Sequence, residues 1–276
     1  MIEKTSMHHP DKIADSIASA IVDLAYTLEE NPKIAVEVLI GHGKCNVVIE
    51  SSLIFTKAQI QPIVDRIAGE GITVGLKSVR QNANLANIQK ERLHAADNGI
   101  FKGVPLTEEE RTLSRITREI EEKAPYDGKY ILNNKSLTIC QSNLSEAEEN
   151  EIRDYYEEGG YEVCVNPVGS WTGGIDVDTG ATNRKLGSDM ASSVTGGGLW
   201  GKDLSKMDFS ANVYAFSKAQ ELDKPVEMWC SIGSSYLYCK IGKKETCIAV
   251  QDVIDYARDV VKAAGGFEAL SEYGLY

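Results

Sequence analysis

The spacing of apolar residues changes repeatedly along the chain between a helical period and a strand period. Apolar residues three and four apart predict amphipathic helices, whereas apolar residues that alternate with polar ones predict strands. In the first part of the chain these patterns predict a helix (11–28), two strands (33–40 and 44–50), a helix (57–68) and a strand (71–79). Gly41-His42-Gly43, between the first two strands, predicts a hairpin turn.

A similar alternation of helices and hairpins follows in the rest of the chain. The predicted elements are a helix (105–123), two strands (130–132 and 136–141), a helix (144–158), a strand (161–166), a helix (209–220), two strands (226–232 and 236–241) and a helix (249–263). Thr107 with Glu110, and Ser145 with Glu148, fit capping boxes at the starts of two of these helices.

This order predicts an α+β protein of three pseudo-repeated units, each with helices packed on a small, mostly antiparallel sheet. We place the units at 1–100, 101–208 and 209–276, and we expect them to be interleaved in space, with the third unit reduced. Residues 80–106 and 167–208 have little periodicity, which predicts long loops. Loops of that length in a compact protein are usually functional or mobile.

The composition limits the kinds of molecule that the protein is expected to bind. The chain has 276 residues, with 41 acidic against 29 basic side chains and a formal net charge of −12. Nucleic-acid binding needs a basic face and is not expected, although a local basic pocket can still hold a small anion. No apolar run is long enough to span a bilayer and no signal segment opens the sequence, so we expect a cytoplasmic protein without membrane contact.

The cysteines give no sign of a metal site or a disulfide framework. There are six of them, without any CxxC pair, and several lie in apolar, strand-like runs. This distribution predicts buried, reduced, structural thiols.

The stretch 173–208 combines many glycines with four basic residues and several aspartates. Glycines let backbone N–H groups approach an anion, lysine and arginine neutralise it, and aspartates hold the accompanying metal, so the stretch predicts a polyphosphate site. Residues 196–202 fit the spacing of a P-loop, but Asp203 stands where a P-loop has Ser or Thr. A P-loop NTPase is therefore rejected, while a flexible surface loop stays open for that segment taken alone.

Other polar residues stand where chemistry competes with ordinary structure. His9-Pro10-Asp11-Lys12 opens the first helix and fits either a phosphate and metal site or an ordinary capped helix start. Glu37 lies in an apolar run, so it has a partner there unless its strand is an exposed edge. Trp171, in a glycine-rich loop, suits stacking on a ligand base. Magnesium ligation and turn chemistry are both open for five aspartates: Asp176, Asp178, Asp189, Asp203 and Asp208.

Taken together and in this order, these segments resemble one family. HPDKIAD at 9–15 resembles its HPDK-x-AD motif, DTGATNRK at 178–185 its D-C/T-G-L-T-G-R-K motif, and GGGLWGKDLSKMD at 196–208 its GGGAFSGKDPSKVD signature. Glu37 and Glu50 match its two strand glutamates in spacing. The family is that of the methionine adenosyltransferases, also called S-adenosylmethionine synthetases, and the resemblance runs from about residue 5 to about residue 220.

The resemblance implies the fold of that family and its reaction, the synthesis of S-adenosylmethionine from ATP and L-methionine. The methionine sulfur attacks C5′ of the ribose and expels triphosphate, which is then hydrolysed to pyrophosphate and phosphate. Two Mg²⁺ ions and a K⁺ ion are implied, as is a homodimer or higher homo-oligomer with active sites between subunits. The strand residues expected at that interface are Val36, Val38, Leu39 and 47–49.

The same resemblance implies a role for each matching residue. Asp11 and Asp208 would each hold a Mg²⁺ ion, and Glu37 would hold K⁺. The residues implied for ATP are His9, Asp127, Lys129, Ser170, Trp171, Asp178, Arg184, Lys185 and Lys202. Those implied for methionine are Glu50, Gln81, Asp97, Asp178 and Lys206. Charge on the leaving triphosphate is stabilised by donors and cations, and the implied catalytic residues are His9, Lys129, Arg184, Lys202 and Lys206.

Several positions depart from the family pattern. Ser170 and Phe209 each stand where the family usually has Arg, and the segment 186–201 is short. Residues 81–97 resemble a trimmed form of the family's mobile active-site lid, with Asn84 where Asp is expected. Two other functions therefore stay open: an ATP triphosphatase that does not transfer to methionine, and a non-catalytic nucleotide-binding subunit of a larger relative.

Overall fold

A computed structural model describes residues 1–82 and 93–276 of the chain. Within these ranges the helices are α1 (Pro10–Leu28), α2 (Lys57–Ala68), α3 (Glu108–Lys123), α4 (Glu146–Glu158), α5 (Leu186–Met190), α6 (Met207–Leu222), α7 (Val250–Ala264) and α8 (Phe267–Tyr273). The strands are β1 (Ile2–Thr5), β2 (Ile34–Gly41), β3 (Lys44–Ser51), β4 (Thr73–Arg80), β5 (Gly99–Gly103), β6 (Gly128–Asn133), β7 (Ser136–Gln141), β8 (Glu162–Val165), β9 (Gly180–Ala181), β10 (Val226–Cys230), β11 (Tyr236–Ile241) and β12 (Lys244–Ala249).

These strands form three sheets of four strands each. The first sheet has the order β4-β3-β2-β9, the second β1-β6-β7-β8 and the third β12-β11-β10-β5. β3 and β4 are parallel, as are β7 and β8, and the other neighbouring pairs are antiparallel. Helices α1 and α2 pack on the first sheet, α3 and α4 on the second, and α6 and α7 on the third. The predicted α+β class with small, mostly antiparallel sheets is confirmed, and the third sheet has as many strands as the other two.

Each sheet takes one strand from a distant part of the chain. β1, at the N-terminus, pairs with β6, and β5 pairs with β10. β9 returns from the glycine-rich stretch to pair with β2. The division into 1–100, 101–208 and 209–276 remains a prediction, and the three exchanged strands are among the contacts that join those segments.

Local sequence explains how the helices begin. His9 is the N-cap of α1 and Pro10 occupies the first turn, where its missing N–H removes no helical hydrogen bond. The predicted capping boxes are present, with Thr107 and Glu110 at α3 and with Ser145 and Glu148 at α4. In each box the two side chains satisfy N–H groups that the first helical turn leaves without partners.

The strands of the first sheet bury alternate side chains, as a pleated strand must. Four of the predicted interface residues lie in the chain's own core beneath α1: Val36, Val38, Val47 and Ile49. The prediction that these four face a partner subunit is wrong, because the inward positions of β2 and β3 are needed to cover α1. Leu39 and Val48 point the other way and are 51% and 45% exposed.

Several elements are present where the sequence pattern predicts none. β5 lies within 80–106, where we expected a loop, and β1, β12 and α8 were not predicted. β5 has the sequence GIFKG, in which Phe101 is buried and Ile100 is exposed, so its apolar signal is too short to detect. Gly103 is required there, because a Cβ would lie 1.8 Å from the carbonyl oxygen of Ala215 in α6.

The cysteines follow their position in the sheets. All six are free thiols; Cys45, Cys230 and Cys239 are buried, whereas Cys164 and Cys247 are exposed. The prediction of buried thiols is wrong for these last two, since β8 and β12 are edge strands and both side chains point outward. Among the described residues, no helix has the length and apolarity needed to cross a membrane.

Candidate active site

His9 lies between β1 and α1, and its side chain is only 7% exposed. Its Nδ1 accepts a hydrogen bond of 3.1 Å from the N–H of Asp11, which caps the helix. Burial, and after it the nearby Lys185 cation, lowers the pKa of His9 to about 4. The ring is therefore neutral near pH 7, and because Nδ1 accepts, the proton is on Nε2. His9 is thus a neutral hydrogen-bond donor at the N-terminus of a helix.

Asp11 links this helix start to the segment 180–185. Its Oδ2 is 2.5 Å from Lys185 Nζ, its Oδ1 accepts from the Ala181 N–H at 2.9 Å, and Arg184 is 3.5 Å from Oδ1. Burial by itself would raise the pKa of Asp11, but the hydrogen bonds from Lys185 and Ala181 outweigh burial and hold the pKa below its usual value. The Asp11 carboxylate is therefore ionised, and it lies beside Arg184 and Lys185, two cations among the residues predicted for ATP.

The segment 180–185 is held between α1 and the first sheet. Gly180 pairs with Ile40 in β2, and a Cβ at Gly180 would lie 1.9 Å from the carbonyl oxygen of Pro10. Thr182 donates its backbone N–H to the Val38 carbonyl and its hydroxyl to the carboxylate of Glu37. Glycine at 180 therefore brings Arg184 and Lys185 close to the first turn of α1, and Glu37 has a polar partner.

The glycine-rich loop 196–202 is tied to the same region through Asn183. The N–H groups of Leu199 and Trp200 donate to Asn183 Oδ1 at 2.8 and 2.7 Å. At the end of this loop Lys202 lies beside β2 and pairs with Asp208 of α6, with 2.7 Å between Lys202 Nζ and Oδ2. The Asn183 side chain thus connects the segment that carries Arg184 and Lys185 to the loop that carries Lys202.

Two of the candidate metal-binding aspartates are structural. Asp203 is fully buried and accepts from the Ile34 N–H at 2.8 Å and from Ser205. Asp189 is fully buried and accepts from Lys12 at 2.5 Å and from the Trp200 indole N–H at 2.8 Å. Magnesium ligation by Asp189 or Asp203 is therefore excluded as an interpretation, because their oxygens fix the fold. Asp176 and Asp178 are exposed.

Asp127 lies just before β6, and Lys129 is the second residue of that strand. Lys129 is close enough to contribute to lowering the pKa of His9. Asp127 Oδ2 accepts from the Gly174 N–H at 3.2 Å, and burial raises the pKa of Asp127. Asp127 Oδ1 is buried and has no hydrogen-bond partner among the described residues. That oxygen is an acceptor suited to a donor from a ligand.

Ser170 and Trp171 lie in the loop before Gly174. Trp171 is 37% exposed, and its indole N–H donates to Asn166 at 3.1 Å, which fixes one edge of the ring. Ser170 donates to Glu149 at 2.9 Å. The loop reaches the predicted ATP residues through Gly174 and Asp127.

The residues predicted for methionine lie at the end of the first sheet and beyond it. Glu50 is exposed near the end of β3, and the Gln81 N–H donates to the Ser51 carbonyl at 2.9 Å, so Glu50 and Gln81 share that end. Gln81 Oε1 is buried without a hydrogen-bond partner among the residues described. Asp97 is exposed. Asn84 and most of the predicted lid lie outside the described residues.

Lys206 is the N-cap of α6, two residues before Asp208. A cavity of about 930 Å³ lies near it, lined in part by Lys33, Asp203, Ser205 and Arg258. Its lining includes neither His9 nor the residues around Asp11. The predicted triphosphate residues therefore lie outside the cavity, and we take the charge cluster, with its buried ionised groups, as the better marker of the site.

The described part of the chain has no group of three or more His, Cys, Asp or Glu placed to hold a metal ion. Magnesium in phosphate-transfer sites is commonly bound by one or two carboxylates together with substrate phosphates. Asp11 and Asp208 each offer one carboxylate beside a lysine, Lys185 and Lys202 respectively. The residues fit magnesium brought with a polyphosphate and do not form a site made of protein ligands alone.

Sequence reasoning missed Asn183 and the buried ion network beneath it. Lys12 lies 2.5 Å from Asp189 and 3.7 Å from Asp15, and all three are buried. Asp15 Oδ1 accepts from the Asn183 N–H at 2.7 Å. The available signal was the polar residues in the apolar helix α1, together with an asparagine where the family motif has glycine.

No protein-family profile matches the chain. It is 24% identical to the S-adenosylmethionine synthase of Thermus thermophilus, over 80% of this chain and 73% of the relative. Its identity to the same enzyme of Mycoplasma capricolum is 28%, over 76% of this chain and 69% of the relative. It is 27% identical to the S-adenosylmethionine synthase of Helicobacter pylori, over 80% of this chain and 72% of the relative.

A solved structure has the same fold. It is described as an unusual S-adenosylmethionine synthetase from Campylobacter jejuni. The two superpose with a TM-score of 0.74 at 17% identity, over 100% of this chain and 93% of the other. The resemblance stated from the sequence motifs is thereby confirmed.

Proposed function

We propose that this chain, which is similar in sequence to S-adenosylmethionine synthases and has the fold of one, synthesises S-adenosylmethionine from ATP and L-methionine. The observation that carries the proposal is the convergence of Arg184 and Lys185 on Asp11, which lies two residues from His9 in the same helix start, although the two basic residues are far from it in the sequence. Lys202 and Asp208 join them through Asn183. The basic side chains of Arg184, Lys185 and Lys202 in one region suit the binding of a triphosphate that leaves as a unit.

In this proposal the chain acts mainly on the leaving group. His9, neutral and protonated on Nε2, donates a hydrogen bond to phosphate oxygen near the breaking bond, and the N-terminus of α1 adds to the favourable field. Lys129, Arg184 and Lys202 neutralise the charge that develops on the triphosphate. Magnesium, when bound, would add Lewis-acid neutralisation of the same oxygens. Asp11 and Asp208 are the residues that would hold it.

Lys185 has a second task, because its Nζ also pairs with the carboxylate of Asp11. Lys185 would bind a phosphate oxygen, and Asp11 would hold the magnesium that accompanies the phosphate. Lys202 and Asp208 form a pair of the same kind. The same cations then hold the triphosphate for hydrolysis to pyrophosphate and phosphate.

Methionine needs alignment and no general base, because its thioether sulfur is neutral and already nucleophilic. We assign Glu50, Gln81, Asp97, Asp178 and Lys206 to that task. Gln81 Oε1, buried without a partner among the described residues, is suited to accept from the methionine ammonium group. Asp127 Oδ1 is suited to the hydroxyl or amino donors of ATP in the same way. Trp171 and Ser170 complete the nucleotide side.

The proposal includes a homo-oligomer with sites between subunits and a cytoplasmic location. Several of the assigned residues, such as Asp97 and Asp178, are exposed on the protomer, and the outward face of the first sheet carries exposed Leu39 and Val48 beside Glu50. A second copy on this face would cover those apolar residues and close the site. Potassium is assigned to Glu37, whose carboxylate lies next to Thr182.

One assay tests the function. Purified protein is incubated with ATP, L-methionine, Mg²⁺ and K⁺, and S-adenosylmethionine, pyrophosphate and phosphate are measured separately. We expect S-adenosylmethionine and pyrophosphate in equal amounts. Phosphate without S-adenosylmethionine would overturn the proposal in favour of a triphosphatase, and the absence of every product would favour a non-catalytic subunit.

Asp208→Asn should raise the Mg²⁺ concentration needed for half-maximal activity by at least about tenfold, because loss of charge at a metal site weakens binding by that order. Its stability should change little, since the Asp208 side chain is 39% exposed. Asp176→Asn, in an exposed position without an assigned role, is the matched control. An unchanged Mg²⁺ requirement in Asp208→Asn would contradict the assignment.

A further inference from the structure

The two basic segments of the candidate site are joined by the side chain of Asn183. Its Oδ1 accepts from the N–H groups of Leu199 and Trp200 at 2.8 and 2.7 Å, and its Nδ2 donates to the Trp200 carbonyl at 3.2 Å. Its backbone N–H donates to Asp15 at 2.7 Å. One residue thus binds the glycine-rich loop on one side and helix α1 on the other.

The backbone at Asn183 explains why asparagine can do this. Its φ is +63°, in the left-handed region that glycine and asparagine tolerate best. Glycine, which the family motif has here, would adopt this conformation but would lose all three side-chain hydrogen bonds. Asparagine adds a connection between Arg184 and Lys185 on one segment and Lys202 on the other.

Gly198 provides an independent sign that the contact is tight. A Cβ at Gly198 would lie 2.7 Å from both Cγ and Nδ2 of Asn183, and 3.2 Å from Oδ1. These Asn183 atoms are the near neighbours of that position, and Gly198 does not have a positive φ. The loop at 198 is therefore shaped around the Asn183 amide.

We propose that Asn183 is a positioning residue for polyphosphate: by fixing the loop 196–202 against 180–185, it sets the separation of Lys202 from Arg184 and Lys185. Asn183 does not touch the ligand in this proposal. The ligand class, a metal-bound triphosphate, rests on the proposed function. The connection between the two segments does not rest on the proposed function. An experiment can therefore reject the connection and the proposed function separately.

Asn183→Gly is the first test, because glycine keeps the backbone conformation and the N–H bond to Asp15. We expect the KM for ATP and the Kd for Mg²⁺–tripolyphosphate to rise about tenfold, which corresponds to ~1.4 kcal/mol. The KM for methionine should stay within about twofold, because Glu50, Gln81 and Asp97, which are assigned to methionine, lie outside the two segments that Asn183 joins. A general loss of structure would raise both KM values, whereas unchanged tripolyphosphate binding would overturn the proposal.

Gly198→Ala tests the same contact from the other side. Its methyl group forces the Asn183 amide to move, so we expect the same weakening of tripolyphosphate binding. In the double variant Asn183→Gly/Gly198→Ala the collision is absent, so the second substitution should add no further loss. Additive losses would contradict the inference. Gly187→Ala is the matched control, since Gly187 lies outside this loop, a Cβ there meets no atom within 4 Å and Gly187 does not have a positive φ.

Hydrogen exchange separates the failure of this inference from that of the proposed function. In Asn183→Gly the amides of Leu199 and Trp200 should exchange at least about tenfold faster, whatever the protein catalyses. Unchanged exchange would overturn the connection even if S-adenosylmethionine is formed. Faster exchange with weaker tripolyphosphate binding, in a protein that forms no S-adenosylmethionine, would retain the inference and reject the proposed reaction.

Discussion

Replacing His9 with alanine should reduce S-adenosylmethionine formation by about 100- to 1,000-fold, the range found when one preorganised donor to developing charge is removed. His9 also caps α1 through Nδ1, so alanine should in addition cost about 1 kcal/mol of folding stability. The rate constant with saturating ATP and methionine measures the first effect, and the thermal midpoint measures the second.

His9→Asn separates the two roles. Asparagine is among the best N-cap residues, and its Oδ1 can accept from the Asp11 N–H as Nδ1 does now. Its folding stability should therefore equal that of the wild type, while the loss of Nε2–H should leave the activity as low as in His9→Ala. Full activity in His9→Asn would show that His9 serves as a helix cap and does not contact the leaving group.

The pH dependence provides a further check on the state of His9. Its pKa is lowered to about 4 from a usual 6.5, so the neutral ring contributes stability above pH 6.5 that is lost as the pH falls towards 4. In His9→Asn this loss should be smaller over the same pH range. Between pH 8 and about 6 the activity of the wild type should show no change caused by titration of His9, because the neutral ring is the hydrogen-bond donor.

Gly180→Ala should have the second large effect. Its methyl carbon would lie 1.9 Å from the Pro10 carbonyl oxygen, so the segment 180–185 must move away from α1 by about an ångström or more. We expect about 2–3 kcal/mol of destabilisation from this overpacking. Activity should fall by about 100-fold even at temperatures where the variant is folded, because a displacement of this size misplaces Arg184 and Lys185.

Gly187→Ala is the matched control for this prediction. Gly187 lies in α5, seven positions further along, is exposed, and a Cβ there meets no atom within 4 Å. Stability and activity should be unchanged or slightly higher, since alanine favours a helix more than glycine does. Equal behaviour of the two variants would mean that contact between Gly180 and Pro10 does not hold the site together.

Much of the fold follows from local pattern. The helices α1, α2, α3 and α4 have the predicted bounds within a few residues, because their apolar period and their capping residues act over short distances. The strands β1 and β5 were missed because each is short and has little alternation, and they exist through pairing with β6 and β10. That stabilisation comes from residues more than a hundred positions away, which a local pattern does not report.

The sequence motifs predicted which residues belong to the candidate site, but they did not predict which of these residues contact one another. Asp11 and the segment 178–185 were identified from motifs, and the structure brings them together through Lys185 and Ala181. Asp189 and Asp203 carried the same compositional signal as Asp208, and burial separates them. Composition reports which groups are present, whereas burial and hydrogen bonding decide which groups remain available to a ligand.

The sequence by itself determined the helices with their caps, the glycine positions, the acidic charge and the motifs that identify the family resembled. Only the tertiary structure decided that β9 returns to β2, that Asn183 joins the two basic segments, and that His9 is neutral. The physical reason is range. Caps, turns and apolar periods depend on residues within about one helical turn, whereas Asp11 and Ala181 are 170 positions apart and meet because packing of α1 on the first sheet leaves room for glycine at 180.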